Sequence, residues 1–140
     1  MPSDLPGAEF LVLFSLLHTS LIKKIDNQLS VHGISFTEYL ILRQLNDANN
    51  KTMRRIDLAE SIGKTASGVT RILAPMEKVK LVDKESNPRD ARISLVRLSK
   101  AGERVLSEAS VTFLETAKGL TEPLSENQLE KLTDSLRKLM

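Results

Sequence analysis

Residues 62–98 read IGKTASGVTRILAPMEKVKLVDKESNPRDARISLVRL, and this stretch decides the fold. Set at about 100° per residue, Val69, Ile72, Leu73, Met76 and Val79 share one side of a helix. Ser67, Thr70, Arg71, Ala74 and Lys78 share the other, and none of them is large and apolar. Thr65 stands where an N-cap belongs. Small hydroxyls and one Arg on an outer helix face are what the DNA major groove accepts: Arg donates twice to a guanine edge, and Ser or Thr pairs with base or phosphate. Downstream, Leu81–Glu85 and Ala91–Leu98 read as two strands around the turn Ser86-Asn87-Pro88-Arg89-Asp90. A helix shaped for a groove with a basic hairpin beside it predicts a winged helix-turn-helix, mostly α with a small β-hairpin wing.

Working upstream, Thr52 is read as the start of a short helix that faces Leu58, Ala59 and Ile62 inward and stops at Gly63. Lys64 then makes the tight turn into the polar-faced helix, so the two helices form the helix-turn-helix pair. Asn46–Lys51 is a turn-rich loop. Ser35-Phe36-Thr37-Glu38 is a capping box stapled by Ile34 and Tyr39, and it opens a helix to about Leu45 with Tyr39, Leu42 and Leu45 inward. From Glu9 to Val31, Phe10, Phe14, Leu17, Leu21, Ile25 and Leu29 keep helical spacing until Gly33, about 35 Å of helix. Leu11, Leu13, Leu16 and Ile22 lie outside that stripe and require a second surface.

Working downstream, Ser99 caps a long helix to about Gly119 with Leu106, Ala109, Phe113, Ala117 and Leu120 as its seam. Ser125-Glu126-Asn127-Gln128 is a second capping box, stapled by Leu124 and Leu129. Leu129, Leu132, Leu136 and Leu139 follow as a seam that packs on other helices. Pro75 sits inside the reading helix, removes one backbone hydrogen bond there, and predicts a kink or an early tightening.

The chain has 140 residues, 41% hydrophobic and 27% charged, which fits one globular domain. Its net charge of +2 hides an asymmetry: residues 51–104 carry 13 Lys and Arg against 7 Asp and Glu, and the rest carry 7 against 11. A basic middle between acidic ends is expected if the middle faces a polyanion. The absence of Cys excludes disulfides and thiol sensing. The N-terminal stretch lacks a basic region, carries Asp4 and Glu9, and has an apolar run too short for a bilayer, so a cytoplasmic protein with no membrane partner is expected.

Enzyme and metal chemistry find little support. Gly63-Lys64-Thr65 suggests a phosphate loop, but the nucleotide-binding pattern needs Gly where Leu58 stands and a strand before it. His18 and His32 stand 14 positions apart without a metal-spaced partner, and no Ser, His and Asp group presents itself. No catalytic residue, metal ligand or cofactor is therefore expected.

Three blocks resemble one family, the MarR (multiple antibiotic resistance) type of transcriptional regulator, over about Ser35–Leu106. Leu58-Ala59-Glu60-Ser61-Ile62-Gly63 looks like its first reading-pair helix. Ser67-Gly68-Val69-Thr70-Arg71-Ile72-Leu73, then Met76-Glu77-Lys78 and Leu81-Val82, look like its recognition helix and strand entry. Asn87-Pro88-Arg89-Asp90-Ala91-Arg92, then Val96-Arg97-Leu98-Ser99, look like its wing with the Asp-x-Arg element.

The resemblance implies one MarR-type domain over residues 1–140, with a winged helix-turn-helix at 34–99 and dimerisation helices at 9–33 and 100–140. It implies a homodimeric repressor on a pseudo-palindromic operator in double-stranded DNA, with Thr65, Ser67, Thr70, Arg71, Lys78, Lys84, Arg89, Asp90 and Arg92 at the DNA. Within the wing, Asp90 would orient Arg92 toward the minor groove. Many members release DNA on binding a small phenolic or lipophilic effector. For such a ligand, Phe14, His18, Tyr39 and Arg43 offer two aromatic rings and a few polar groups where the first helix meets the Ser35–Leu45 helix. The other reading of those four is plain core and surface. The other reading of the whole chain is a winged-helix protein-interaction module without DNA binding.

Overall fold

The computed structural model describes residues 5–140; Asp4, in the acidic N-terminal stretch, lies outside them. Six helices and three strands follow in the order α1 (Pro6–Leu29), α2 (Phe36–Asp47), β1 (Thr52–Arg54), α3 (Arg55–Ser61), α4 (Ala66–Lys78), β2 (Val82–Asn87), β3 (Asp90–Leu98), α5 (Lys100–Leu120) and α6 (Glu126–Lys138). It is a helical frame around a small antiparallel sheet of order β1-β3-β2.

Local chemistry sets most boundaries. Pro6 opens α1, where its missing N–H costs no helical bond. A single 3₁₀ turn follows α1 and ends at Gly33, whose φ of 74° lies in the left-handed region that glycine enters without a Cβ clash. Ser35 and Glu38 close the expected capping box, with Ser35 Oγ accepting from Glu38 N–H at 3.2 Å and Glu38 Oε1 accepting from Ser35 N–H at 2.8 Å. Asp26 of α1 accepts from Phe36 N–H at 2.7 Å, tying the first two helices together. Ser125 and Gln128 form the second capping box as read.

Several elements depart from the sequence reading. Thr52 opens a strand rather than a helix: Thr52, Met53 and Arg54 pair with Arg97, Val96 and Leu95, and α3 begins only at Arg55. The wing sheet therefore has three strands, and β1 covers the edge of β3 that a lone hairpin would leave unpaired. The hairpin turn is also tighter, with Pro88 and Arg89 alone between β2 and β3. Helical structure in α4 runs on through Pro75 to Lys78. Val79, placed on the inward face by periodicity, lies past the helix end and is 63% exposed.

The core gathers Leu29, Ile34, Tyr39, Ile41, Leu42 and Leu45 with Leu58, Ala59, Val69, Leu73 and Met76. Leu81, Val82, Val96 and Leu98 close it from the sheet, and Leu106 and Ala109 from α5. Phe36, Tyr39 and Phe113 stack beside it, with the Tyr39 and Phe113 ring centres 4.8 Å apart. Gly102 lets α5 approach the α4–β2 turn, since a Cβ there would meet the Leu81 carbonyl and the Leu98 side chain.

Outside this core the chain leaves apolar surface bare. Leu11, Leu13, Leu16 and Leu17 on the first half of α1 are exposed, and so are Val111, Leu114, Leu132 and Leu139. Helix α6 buries no residue. No helix among the described residues is long and apolar enough to cross a membrane.

Candidate nucleic-acid interface

Helix α4 is held by Thr65, whose hydroxyl accepts from Gly68 N–H at 3.0 Å. The cap satisfies one of the free amides of the first turn and fixes where the helix starts. Val69, Leu73 and Met76 are fully buried against the core. Ser67, Thr70, Arg71, Ala74 and Lys78 are exposed, so the polar face read from the sequence is the solvent face.

The wing stands beside that face. Its tip is set by Asn87, whose side chain accepts from Arg89 N–H at 2.8 Å in an Asx turn, leaving Arg89 exposed. Asp90 accepts from the Arg92 backbone at 3.0 Å and from its guanidinium at 3.1 Å on both carboxylate oxygens. This fork holds the Asp90 carboxyl below the usual carboxylate range, chiefly through the Arg92 side chain and then through its backbone N–H. The Arg92 side chain stays 91% exposed. An exposed pair of this kind adds little to stability, and its effect is to orient the guanidinium.

Between helix and wing runs a furrow. Arg54, Arg55, Ile56, Ala66, Thr70, Arg92, Ile93 and Ser94 line one part, a hollow of about 330 Å³. Arg55, Thr70, Ala74, Glu77, Lys84 and Ser94 line the adjoining part, about 320 Å³. Thr70, Lys84 and Arg92 thus meet on one surface although they come from α4, β2 and β3. Ser67 and Arg71 stand on the exposed α4 ridge, and Lys78 lies at its far end; none of these three lines the furrow.

Sequence reasoning misses Arg54 and Arg55. They count toward the basic middle but receive no position in it, because a helix is expected from Thr52 onward. With β1 ending at Arg54, the dibasic step falls at the strand-to-helix corner and faces the wing. The charge excess of residues 51–104 is the signal that points to them.

The four residues expected around a small ligand are not brought together. Tyr39 is 4% exposed and belongs to the core, with its hydroxyl 3.1 Å from Ser110 Oγ. Phe14 and His18 stack on the exposed face of α1 at 6.4 Å, and Arg43 is exposed on α2. Helical spacing gives Tyr39 an inward direction, and inward is the α2–α5 core. A cleft of about 380 Å³ does lie between α1 and α5, lined by Lys24, Asn27, Gln28, Thr112, Glu115, Thr116, Gly119 and Leu120, and contains none of the four.

A short first helix, a Gly-turned second helix with a polar outer face and a paired basic hairpin define a winged helix-turn-helix protein. Residues 32–93 match the model of the MarR family. Over those residues the winged-helix region is similar to the MarR family. A transcriptional regulator of Bacillus subtilis, the uncharacterised helix-turn-helix protein YhbI, is 28% identical over 84% of this chain and 77% of its own length. The transcriptional repressor MprA of Escherichia coli is 24% identical over 98% of this chain and 79% of its own. The crystal structure of a MarR family regulator from Streptomyces coelicolor, in complex with DNA, superposes with a TM-score of 0.86. That match covers 99% of this chain and 89% of the other, at 25% identity.

Proposed function

We propose that this protein is a sequence-specific regulator of transcription that binds double-stranded DNA as a homodimer. The furrow carries the proposal: an exposed polar helix face and a wing Arg flank one channel whose rim holds Arg54, Lys84 and Arg92. In this reading Ser67, Thr70 and Arg71 reach base edges in the major groove. Thr65, Lys78, Lys84 and Arg89 contact phosphates, as does Arg54, and Arg92 borders the minor groove where negative potential is concentrated. Asp90 keeps Arg92 aimed.

Bare apolar surface supports the dimer. Leu11 at 64% and Leu16 at 65% exposure on α1, with Leu132 and Leu139 exposed at the C-terminal helix, are apolar side chains that a second copy would cover. A pair of copies joined through residues 9–33 and 100–140 would present two reading helices to half-sites about one helical turn apart, a pseudo-palindrome. The E. coli relative is a repressor, and repression by occupying an operator is the corresponding role for this chain. Release by a small phenolic or lipophilic effector completes the proposal. Such a ligand acts by binding a dimer of the wrong half-site spacing more tightly than the competent one. A tenfold loss of operator affinity requires a preference of only about 1.4 kcal/mol.

The test is capture of genomic DNA fragments by the purified protein, followed by titration of the enriched duplex. A shared pseudo-palindromic site, bound far more tightly than a scrambled duplex of equal length, is the expected result. Equal affinity for all duplexes, or none, would overturn the proposal and leave a protein-interaction module.

A further inference from the structure

We infer that Arg55 is a positioning residue for DNA recognition, a joint that fixes the wing at its angle to α4; the inference rests on the DNA-binding reading and deepens it. The wing has a weak point. β1 supports β3 only as far as Leu95, the partner of Arg54. Beyond it the wing is a two-stranded ribbon, and such ribbons are marginal by themselves. Its last regular rung pairs Ser86 with Ser94, and the register shifts between Ser86 and Asn87 before Asn87 meets Asp90. The tip that carries Arg89, Asp90 and Arg92 therefore hangs from the Ser86–Ser94 rung.

Arg55 acts at that rung. It is the residue after β1 and the first of α3, and its Nε donates to Ser94 Oγ at 2.8 Å. Its Nη2 pairs with the Glu77 carboxylate in the last turn of α4. One planar guanidinium thus spans α3, α4 and β3, and only an Arg fork reaches two partners in different directions with fixed geometry. The side chain is 13% exposed, so it is largely withdrawn from solvent, unlike Arg92. It also neutralises Glu77, a carboxylate that would otherwise line the furrow unpaired beside Thr70 and Lys84. Its effect on DNA passes through the wing and not through a phosphate contact of its own.

The test uses full-length protein, the duplex captured by wild type, and a double-mutant cycle with Arg92→Ala. Ser94→Ala cuts the wing tether but leaves the Arg55–Glu77 pair, and Arg55→Lys keeps the charge but loses the fork. Each should weaken binding roughly threefold to tenfold in the wild-type background, and by less than about twofold once Arg92 is already Ala, because coupled residues do not add. Losses that multiply fully with Arg92→Ala would overturn the inference. Hydrogen exchange in the free protein reads the joint without DNA. Amides of residues 86–94 should exchange faster in Ser94→Ala while those of α4 stay as in wild type. Unchanged exchange at the wing would overturn the joint whatever the duplex result, whereas failure of wild type to bind any duplex with the exchange effect present would overturn only the DNA-binding reading.

Discussion

At the scale of single residues, the proposed function divides DNA recognition between Arg71 and Arg92. Arg71 projects from the exposed face of α4, so Arg71→Ala should cost about 1–3 kcal/mol on the preferred duplex and relax the preference at one base pair per half-site. Uniform weakening across all duplexes would reduce it to a phosphate contact. Arg92 is tied to Asp90, and the sign of its pH dependence follows from that bond. A carboxyl held low in the fold keeps its partner above the ordinary carboxylate range and loses it only as pH falls through the lowered value. Wing geometry should therefore be constant from neutrality down to about pH 4. In Arg92→Ala the Asp90 titration, followed by carboxyl NMR shifts, should move upward; an unmoved titration would contradict the fork. These outward residues are legible in the sequence because helical spacing separates them from Val69, Leu73 and Met76. Arg54 and Arg55 are not, because their direction depends on a corner between strand and helix that spacing does not encode.

Caps and turns are the most legible features of the elements. Ser35 with Glu38 and Ser125 with Gln128 each carry their own hydrogen-bond partners within four residues, so no distant contact is needed to read them. Strand β1 is illegible for the opposite reason. Three residues are too few to show alternation, and Thr52–Arg54 is a strand only because β3, more than forty positions away, offers an edge. Pro75 likewise gives a local signal of disruption, yet helix α4 continues past it to Lys78, with Leu73 and Met76 buried on either side. Ser99 joins two elements: its hydroxyl accepts from Gly102 N–H at 2.9 Å and lies 2.6 Å from the Lys80 carbonyl and 2.8 Å from that of Leu81. Ser99→Ala should lower stability by about 1–2 kcal/mol in denaturant unfolding without changing the slope. Gly102→Ala should cost about 1–3 kcal/mol, since the α5–turn approach has no room for a methyl group. A Gly102→Ala protein as stable as wild type would show that α5 can move away freely.

At the scale of the whole molecule, apolar helix faces stay uncovered. The winged helix encloses its core, while the first half of α1 and all of α6 leave leucines in water. Sequence periodicity shows these surplus residues but not their partner, because a seam between helices reads the same within a chain or between chains. The partner we propose is a second copy. Sedimentation at micromolar concentration should find a dimer, and the melting temperature should rise with protein concentration. A folded monomer there would contradict it. The expected ligand cluster fails at this same scale. Spacing brings Phe14 and Tyr39 near one helix junction, but the tertiary fold turns one outward and the other into the core.

Salt dependence of duplex binding, compared between wild type and Arg92→Ala, tests the central claim most directly. A furrow flanked by exposed cations in two copies should release several counterions from DNA, so log K should fall steeply with log salt. Six to ten phosphate contacts would mean a loss of roughly 10³–10⁵ in affinity between 50 and 200 mM salt. Arg92→Ala should bind more weakly and make the slope shallower by about one unit. A slope near zero in wild type, or full affinity and an unchanged slope in Arg92→Ala, would contradict DNA binding through the furrow and wing.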